Sequence, residues 1–314
     1  MNAAWALVSL PVALIATPIA AAVARRTGVV DRPGPLKIQQ APVPYLGGVA
    51  VFVAMAGPIA VVRPMLLVPL ACLLALGLAD DLGDLAPRLR LVCEVAIGAV
   101  GGAIVPVPGP FGAVVTAAFV VGLVNAVNLL DGLDGLAGGV VCASAIGFAL
   151  IGGAARVPGI ALAGALGGFL WYNRPPARIY LGDSGAYLCG GALALLAALA
   201  LGDGHGLAAW AAVPLLVALP VFDTTVAILR RSRAGKPLFA GDRSHVYDQL
   251  VDRGSSRPRA VAVFVLAQLA LMVIAVVVLR LDPVWAVAAA MGCVIVLVGT
   301  AAWGGFLART EPSS

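Results

Sequence analysis

Aspartates in this sequence gather where long apolar stretches end. Asp80 and Asp81 close one apolar run. Asn128, Asp131 and Asp134 follow another run at intervals of three residues, so on a helix they would share one face. Adjacent carboxylates at a low-dielectric surface repel each other unless a proton or a cation intervenes. Because Mg²⁺ takes oxygen ligands, typically one or two carboxylates plus substrate phosphates, the pattern indicates a metal site for a phosphorylated ligand.

Glycines surround the second of these clusters, in the stretch NAVNLLDGLDGLAGG over residues 125–139. They disfavour a regular helix at its end and would let backbone N–H groups approach a ligand closely. The alternative is a glycine-rich helix cap with aspartates at turn positions. For Asp80 and Asp81 the alternative is a solvated loop with helix-capping side chains.

Two further acids adjoin apolar runs. Asp183, in YLGDSG, precedes a new run, where an N-cap is the alternative to a functional role. Asp223 lies seven residues before Arg230 within an apolar stretch, and an ionisable residue inside a membrane segment is a functional-site hypothesis. In the basic loop that follows, Arg243 and His245 could bind phosphates of a ligand or of lipid headgroups.

The composition indicates the kind of scaffold that positions these groups. The chain has 314 residues, of which 61% are hydrophobic and 11% charged, and a mean hydropathy of +1.04. This composition is typical of a polytopic membrane protein rather than of a soluble domain. We therefore expect an all-α helical bundle in which residues 1–314 form a single membrane-embedded domain.

Apolar runs long enough to cross a bilayer predict about eleven transmembrane helices. The first is expected to be retained rather than to be a secretory signal, because Arg25 and Arg26 follow it and no basic residue precedes it. The predicted spans are 4–24, 46–62, 65–79, 91–106, 111–127, 137–154, 157–172, 185–201, 207–229, 260–279 and 284–307.

The basic residues predict the orientation. With eleven spans, one set of loops holds 17 of the 20 Lys and Arg residues and the other holds only Arg63, Arg156 and Arg280. The positive-inside rule places the richer set in the cytoplasm, with the N-terminus outside and the C-terminus cytoplasmic. The predicted cytoplasmic loops, about 25–45, 80–90, 128–136, 173–184 and 230–259, hold or adjoin 12 of the 15 acids when the C-terminal tail is included. We expect an active site on the cytoplasmic face of the inner (plasma) membrane.

The chain resembles a family of integral membrane enzymes, the polyprenyl-phosphate N-acetylhexosamine-1-phosphate transferases of glycosyltransferase family 4. The resemblance covers nearly the whole chain. It is carried by six motifs in the family's order: VPYLGG, ADDLGD, NAVNLLDGLDGLAGG, NRPPARIYLGDSG, PVFDT and DRSH. The last two are similar to the branch that primes wall-polymer and O-antigen synthesis.

The resemblance implies catalytic and metal-binding roles for three aspartates. Asp80 and Asp81 match the paired aspartates needed for catalysis, and Asp183 matches the aspartate associated with Mg²⁺. We expect Mg²⁺, with Mn²⁺ as an alternative, to be held by Asp183 with help from Asp81. Asp80 is expected to act as general base on the acceptor phosphate.

The remaining family positions are implied to bind substrate. Asp131 and Asp134 match nucleotide-site aspartates, Asp134 toward the uracil, and Tyr180 stands where an aromatic ring stacks on uracil. The other implied substrate-binding residues are Asn128, Asn173, Lys37, Arg243 and His245. Relatives carry a longer histidine run where this chain has HVYDQ, and those loops are thought to help select the sugar.

The implied reaction moves N-acetylhexosamine-1-phosphate, in the first place GlcNAc-1-phosphate, from a UDP-sugar to undecaprenyl or decaprenyl phosphate and releases UMP. The expected partners are these two substrates and the lipid bilayer, and no nucleic acid; whether the chain forms a homodimer stays open. One alternative is transfer of phospho-MurNAc-pentapeptide in peptidoglycan synthesis. The alternative from a different class is a membrane transporter of a phosphorylated solute, although transporter sites usually lie near the bilayer midplane in repeated halves.

Overall fold

The fold is built almost entirely from helices. The computed structural model describes residues 3–32, 41–83, 85–204, 206–235 and 245–308. Its α-helices are α1 (Ser9–Thr27), α2 (Gly47–Val62), α3 (Leu67–Gly83), α4 (Pro87–Ile104), α5 (Gly112–Leu130), α6 (Leu136–Ile151), α7 (Arg156–Asn173), α8 (Gly182–Gly202), α9 (Gly206–Leu216), α10 (Ala218–Arg233), α11 (Val246–Asp252), α12 (Arg257–Val278) and α13 (Pro283–Trp303). Short 3₁₀ turns span Ala3–Val8, Pro64–Leu66 and Gly153–Ala155.

Two short strands complete the described fold. β1 (Val30–Asp31) and β2 (Val43–Pro44) pair antiparallel, with Val30 opposite Pro44 and Asp31 opposite Val43. This pairing brings the chain after α1 back toward the start of α2. The backbone N–H of Tyr180 donates to the oxygen of Pro44 at 2.8 Å, so β2 also contacts the segment before α8.

The apolar helices confirm an all-α polytopic membrane protein. In the described part of the chain, seven helices are long and apolar enough to cross a membrane, or eight if the bent pair α9–α10 forms one span. Two further apolar helices, α2 and α6, are shorter. Each of the eleven predicted spans overlaps a helix, whereas the orientation of the termini stays a prediction.

Helix α8 lies at the centre of the bundle, and residues 184–201 are all buried. It packs against α3 and α5. Gly77 of α3 allows the closest approach, because a Cβ there would lie 2.4 Å from the backbone oxygen of Asp183. Small residues at crossings let helix backbones touch in a membrane protein. The C-terminal turn of α3 is thereby brought against the N-terminal turn of α8.

The predicted span 207–229 is not one continuous helix. α9 and α10 are bent by 65° at a break around Val217, between Pro214 and Pro220. Prolines lack the N–H group that would continue the helical hydrogen bonds. Gln268 of α12 bonds the freed groups: its Nε2 donates to the oxygens of Leu215 and Leu216 at 3.1 Å each, and its Oε1 accepts from the N–H of Leu219 at 3.3 Å.

Candidate active site

A large cavity opens where α3 and α5 end and α8 begins. It has a volume of about 1400 Å³. The strands β1 and β2 and the first residues of α11 and α12 also line it. Seven carboxylates of the described residues line it: Asp31, Asp80, Asp81, Asp131, Asp134, Asp183 and Asp248. Three of the sequence clusters singled out for chemistry therefore meet in one place, although they are about 50 residues apart along the chain.

Asp81 holds the N-terminus of α8. Its Oδ1 accepts a hydrogen bond from the backbone N–H of Asp183 at 2.9 Å, and its Oδ2 accepts from that of Ser184 at 3.0 Å. The first N–H groups of a helix have no partners within the helix, so a carboxylate from α3 satisfies them and interacts favourably with the helix dipole. The N-cap alternative for Asp183 is wrong, because Asp81 bonds these groups and Asp183 itself lies in the first turn.

The side chain of Asp183 therefore does not cap α8 and instead lines the cavity. Its Oδ1 accepts from the Nδ2 of Asn128 at 2.7 Å. Asn128 lies in the last turn of α5, so this bond joins the DGLDG region to the start of α8. Asp81, Asn128 and Asp183 form a connected set of three predicted site residues.

Asp80 accepts three hydrogen bonds from the protein and is only 5% exposed. Its Oδ2 accepts from the Nη1 of Arg90 at 2.8 Å and from the hydroxyl of Tyr187 at 2.6 Å. Its Oδ1 accepts from the N–H of Leu85 at 2.9 Å. Three of the roughly four lone-pair sites of the carboxylate are thus occupied by protein donors. The rest of the group faces the cavity.

The DGLDG segment is fixed by bonds to the segment before α8. The Oδ2 of Asp134 accepts from the N–H of Ala177 at 2.9 Å. Asn173 is buried; its Oδ1 accepts from the N–H of Gly135 at 3.0 Å and its Nδ2 donates to the oxygen of Ile179 at 2.9 Å. Asn173 lines the cavity, where it was expected. Both ends of its amide bond backbone groups, so its contribution is to hold the cavity wall in place.

The cavity carries an excess of negative charge. Burial, followed by the nearby carboxylates of Asp183, Asp81 and Asp134, raises the pKa of Asp131 to about 7. The negative charge of the cavity also acts on Tyr180. Burial, followed by the carboxylates of Asp134, Asp31 and Asp131, raises the pKa of its hydroxyl to about 12. Among the described lining residues, Arg257 is the only lysine or arginine. An added cation would offset this charge for an anionic substrate.

His245 reaches the same cavity from the start of α11. Its Nδ1 lies 2.6 Å from the Oδ2 of Asp223, and its ring stacks on Tyr247. The hydroxyl of Tyr247 donates to the oxygen of Leu129 at 3.0 Å. Asp223, which the sequence marked as an ionisable residue inside a span, is fully buried and contacts His245.

The cavity brings together nine of the eleven predicted site residues: Asp80, Asp81, Asn128, Asp131, Asp134, Asn173, Tyr180, Asp183 and His245. Lys37 and Arg243 lie outside the described residues. Sequence reasoning missed Arg90, Tyr187, Tyr247 and Arg257. Arg90 lies ten residues from Asp80 and carried a usable signal as a cation near paired acids, whereas Tyr187 sits inside an apolar run with no local signal.

The oxygen donors of the cavity suit a divalent cation. In the described part of the chain, no three histidine, cysteine or carboxylate side chains are grouped as a protein-only metal cage. Mg²⁺ does not need one, because it is usually held by one or two carboxylates together with water and substrate phosphates. The oxygens of Asp81 and Asp183 and the uncompensated charge around Asp131 therefore fit such an ion.

Comparison with known proteins agrees with this arrangement. The family model for glycosyl transferase family 4 matches residues 64–201. A probable undecaprenyl-phosphate N-acetylglucosaminyl 1-phosphate transferase of Bacillus subtilis is 33% identical over 89% of this chain and 85% of its own length. A decaprenyl-phosphate N-acetylglucosaminephosphotransferase of Mycobacterium tuberculosis is 30% identical over 83% and 79%. An undecaprenyl-phosphate alpha-N-acetylglucosaminyl 1-phosphate transferase of Yersinia pestis is 30% identical over 90% and 86%.

Proposed function

We propose, since this chain belongs to glycosyl transferase family 4, that it transfers N-acetylglucosamine-1-phosphate from UDP-GlcNAc to polyprenyl phosphate and releases UMP. The observation that carries the proposal is the convergence of Asp81, Asp131 and Asp183 on one cavity beside apolar helices. A lipid phosphate and a water-soluble nucleotide-sugar can meet at such a place. The activities for which these relatives are named favour GlcNAc over the MurNAc-pentapeptide alternative.

The nucleotide is proposed to lie along the wall formed by Asp131, Asp134 and Tyr180. All three line the cavity, and the N–H of Ala177 fixes the carboxylate of Asp134. An aromatic ring can stack on a base irrespective of its hydrogen-bonding pattern. The diphosphate would then extend toward the N-terminal turn of α8, where a helix start favours negative charge.

Transfer is proposed as an in-line displacement at phosphorus. An oxygen of the polyprenyl phosphate attacks the β-phosphorus of the UDP-sugar, and the bond from that phosphorus to the bridging oxygen breaks. UMP departs with the bridging oxygen, and the lipid carries the sugar on a diphosphate. The remaining acceptor site of Asp80 is placed to receive the acceptor proton or to keep the acceptor ionised.

Mg²⁺ is proposed as the cofactor, held by Asp183 with Asp81. When bound, such an ion neutralises charge on the diphosphate and stabilises the charge that develops on the leaving group. The residues of the chain contribute by holding the carboxylates in position. Asp81 fixes the start of α8, Asn128 orients Asp183, and Tyr187 and Arg90 orient Asp80.

The protein is further proposed to reside in the inner membrane with this cavity on the cytoplasmic face. The concentration of Lys and Arg in the loops on that side supports the orientation. Nucleotide-sugars are cytoplasmic substrates in this arrangement, and the polyprenyl phosphate would enter from the surrounding lipid.

The proposal is tested with the purified full-length chain in lipid vesicles. UDP-GlcNAc, UDP-GalNAc and UDP-MurNAc-pentapeptide are each offered with undecaprenyl or decaprenyl phosphate and Mg²⁺, and UMP and the lipid product are quantified. We expect UMP and lipid-linked sugar in equal amounts, fastest with UDP-GlcNAc. Uptake of a nucleotide-sugar into the vesicles without UMP release would instead favour a transporter.

A further inference from the structure

Asp223 and His245 form a buried pair beside the active-site cavity. The carboxylate of Asp223 is 0% exposed, and His245 is 4% exposed. One oxygen, Oδ2, lies 2.6 Å from the Nδ1 of His245, and the other, Oδ1, accepts from the N–H of Val246 at 2.7 Å. Both oxygens of this buried acid are therefore used to hold the residue that enters the cavity and the residue after it.

The imidazole is also fixed on its face. Its ring stacks on Tyr247 with a centroid distance of 5.4 Å and an interplanar angle of 9°. The hydroxyl of Tyr247 donates to the oxygen of Leu129, two residues before Asp131. Gly132 leaves room for this tyrosine, because a Cβ at that position would lie 2.1 Å from the Tyr247 hydroxyl. The histidine is thus joined to α10 on one side and to the DGLDG segment on the other.

We propose that Asp223 is a positioning residue for the transfer reaction and acts through His245. An ionised carboxylate accepts the Nδ1–H of the ring, which fixes the tautomer and leaves the lone pair of Nε2 to accept a hydrogen bond from a substrate hydroxyl. The inference rests on the proposed function, because His245 serves the reaction only if the substrate binds in this cavity. It explains why a carboxylate is buried in the first turns of α10, next to a helix break.

The substitution Asp223→Asn keeps the size of the side chain and changes the group that faces the imidazole. Asparagine can still accept from the N–H of Val246 through Oδ1, but it presents an amide N–H to the imidazole. A donor facing Nδ1 requires that nitrogen to be unprotonated, so the ring proton moves to Nε2. The variant therefore keeps the contacts of the acid and reverses the tautomer that His245 offers to the cavity.

The tautomer can be read directly because the chain contains only two histidines. Ring-¹⁵N-labelled protein in detergent should give two imidazole patterns, and a His205→Gln variant assigns the other one. We expect the Nδ1–H tautomer for His245 in the wild type and the Nε2–H tautomer in Asp223→Asn. An unchanged His245 pattern in a variant that elutes and melts as the wild type would overturn the inference.

Kinetics then test whether the pair serves the reaction. We expect Asp223→Asn to lower kcat for UMP release about 10- to 100-fold, with less change in KM for UDP-GlcNAc. In a His245→Gln background the same substitution should have little further effect, because interacting residues are not additive. An equal loss in both backgrounds, or a wild-type rate for Asp223→Asn, would overturn the inference. A wild-type chain that releases no UMP would instead contradict the proposed function, while the tautomer measurement still reports on the pair.

Discussion

At the scale of single residues, two adjacent aspartates have different environments. Asp80 is bonded to side chains of α4 and α8, through Arg90 and Tyr187. Asp81 accepts hydrogen bonds from two backbone N–H groups at the start of α8. Neighbouring residues on a helix point about 100° apart, so one faces the bundle and the other faces the helix end. This difference supports separate roles, with Asp80 toward the acceptor and Asp81 toward the metal.

Asp131 should make stability depend on pH when no metal is bound. Its pKa in the folded protein is about 7, above the value of 3.8 for an unperturbed aspartate, so folding favours its protonated form. The stability of the wild type should therefore fall as the pH rises from about 4 through 7. Asp131→Asn cannot ionise, and we expect it to melt higher than the wild type at pH 8, on the order of 2 °C, and to show a smaller gain at pH 5.

Thermal melts in detergent with EDTA at both pH values measure this difference. Asp252→Asn is the matched control, because Asp252 is exposed on α11 and does not line the cavity. A gain in Asp131→Asn that is the same at pH 5 and pH 8 would contradict the assignment of this pH dependence to Asp131.

Residue types and spacing were sufficient to predict the acidic groups at the ends of α3 and α5 and at the start of α8. Aspartates that adjoin apolar runs are unusual enough to be informative, and Asp80, Asp131 and Asp183 indeed meet. The partners of those acids could not be predicted in the same way. Tyr187 reads as one more apolar residue within α8, and its bond to Asp80 depends on how α3 and α8 pack.

At the scale of helices, two local features position the site. The close contact of α3 with α8 at Gly77 places Asp81 against the first N–H groups of α8. The break between α9 and α10 allows α10 to leave the direction of α9 and to carry Asp223 to His245. Pro214 and Pro220 carry a sequence signal for this break, although residues 207–229 were predicted as one span. Gln268, which stabilises the break, lies some 50 residues further along the chain.

Gly77→Ala should damage both packing and catalysis. The added Cβ would lie 2.4 Å from the oxygen of Asp183, so α3 must move away from the start of α8. Overpacking of this kind costs about 1–3 kcal/mol. We expect a lower melting temperature and at least about a tenfold loss of UMP release, since small displacements of catalytic groups are costly.

Gly57→Ala is the matched control for that variant, because no atom lies within 4 Å of a Cβ at that position in α2. It should keep wild-type activity and melt no lower than the wild type, because alanine favours a helix over glycine. If Gly77→Ala behaves like Gly57→Ala in both assays, the contact does not position the site.

Gln268→Leu should destabilise the helix break. Leucine preserves much of the side-chain volume but leaves the oxygens of Leu215 and Leu216 and the N–H of Leu219 without their partner. A buried polar group left unsatisfied costs about 1–3 kcal/mol. Melting of Gln268→Leu should be clearly lower than that of the wild type. A Gln268→Leu protein as stable as the wild type would show that the break needs no such support.

At the scale of the whole molecule, charge and hydropathy are separated. The chain carries a formal net charge of +5, yet seven carboxylates line a cavity in which the described residues supply only Arg257 as a fixed cation. A helical bundle that is mostly apolar surrounds this acidic pocket. A divalent cation between protein and substrates would let a site of this kind hold a diphosphate and a lipid phosphate together.

The overall architecture was predictable because length and apolar composition restrict a membrane chain to a helical bundle. The arrangement of helices around α8 was not, because apolar spans differ little from one another in sequence. Small residues such as Gly77 decide which helices approach closely, and their partners become known only in the folded structure.

We propose that the converging carboxylates hold a cation that makes transfer possible. UMP release from UDP-GlcNAc and undecaprenyl phosphate, measured for the wild type, Asp183→Asn and the surface control Asp252→Asn, tests this proposal. We predict Mg²⁺-dependent release that EDTA abolishes, a loss of about 100-fold or more in Asp183→Asn, and a wild-type rate in Asp252→Asn. Release at the wild-type rate by a folded Asp183→Asn protein, or undiminished release in EDTA, would contradict the account.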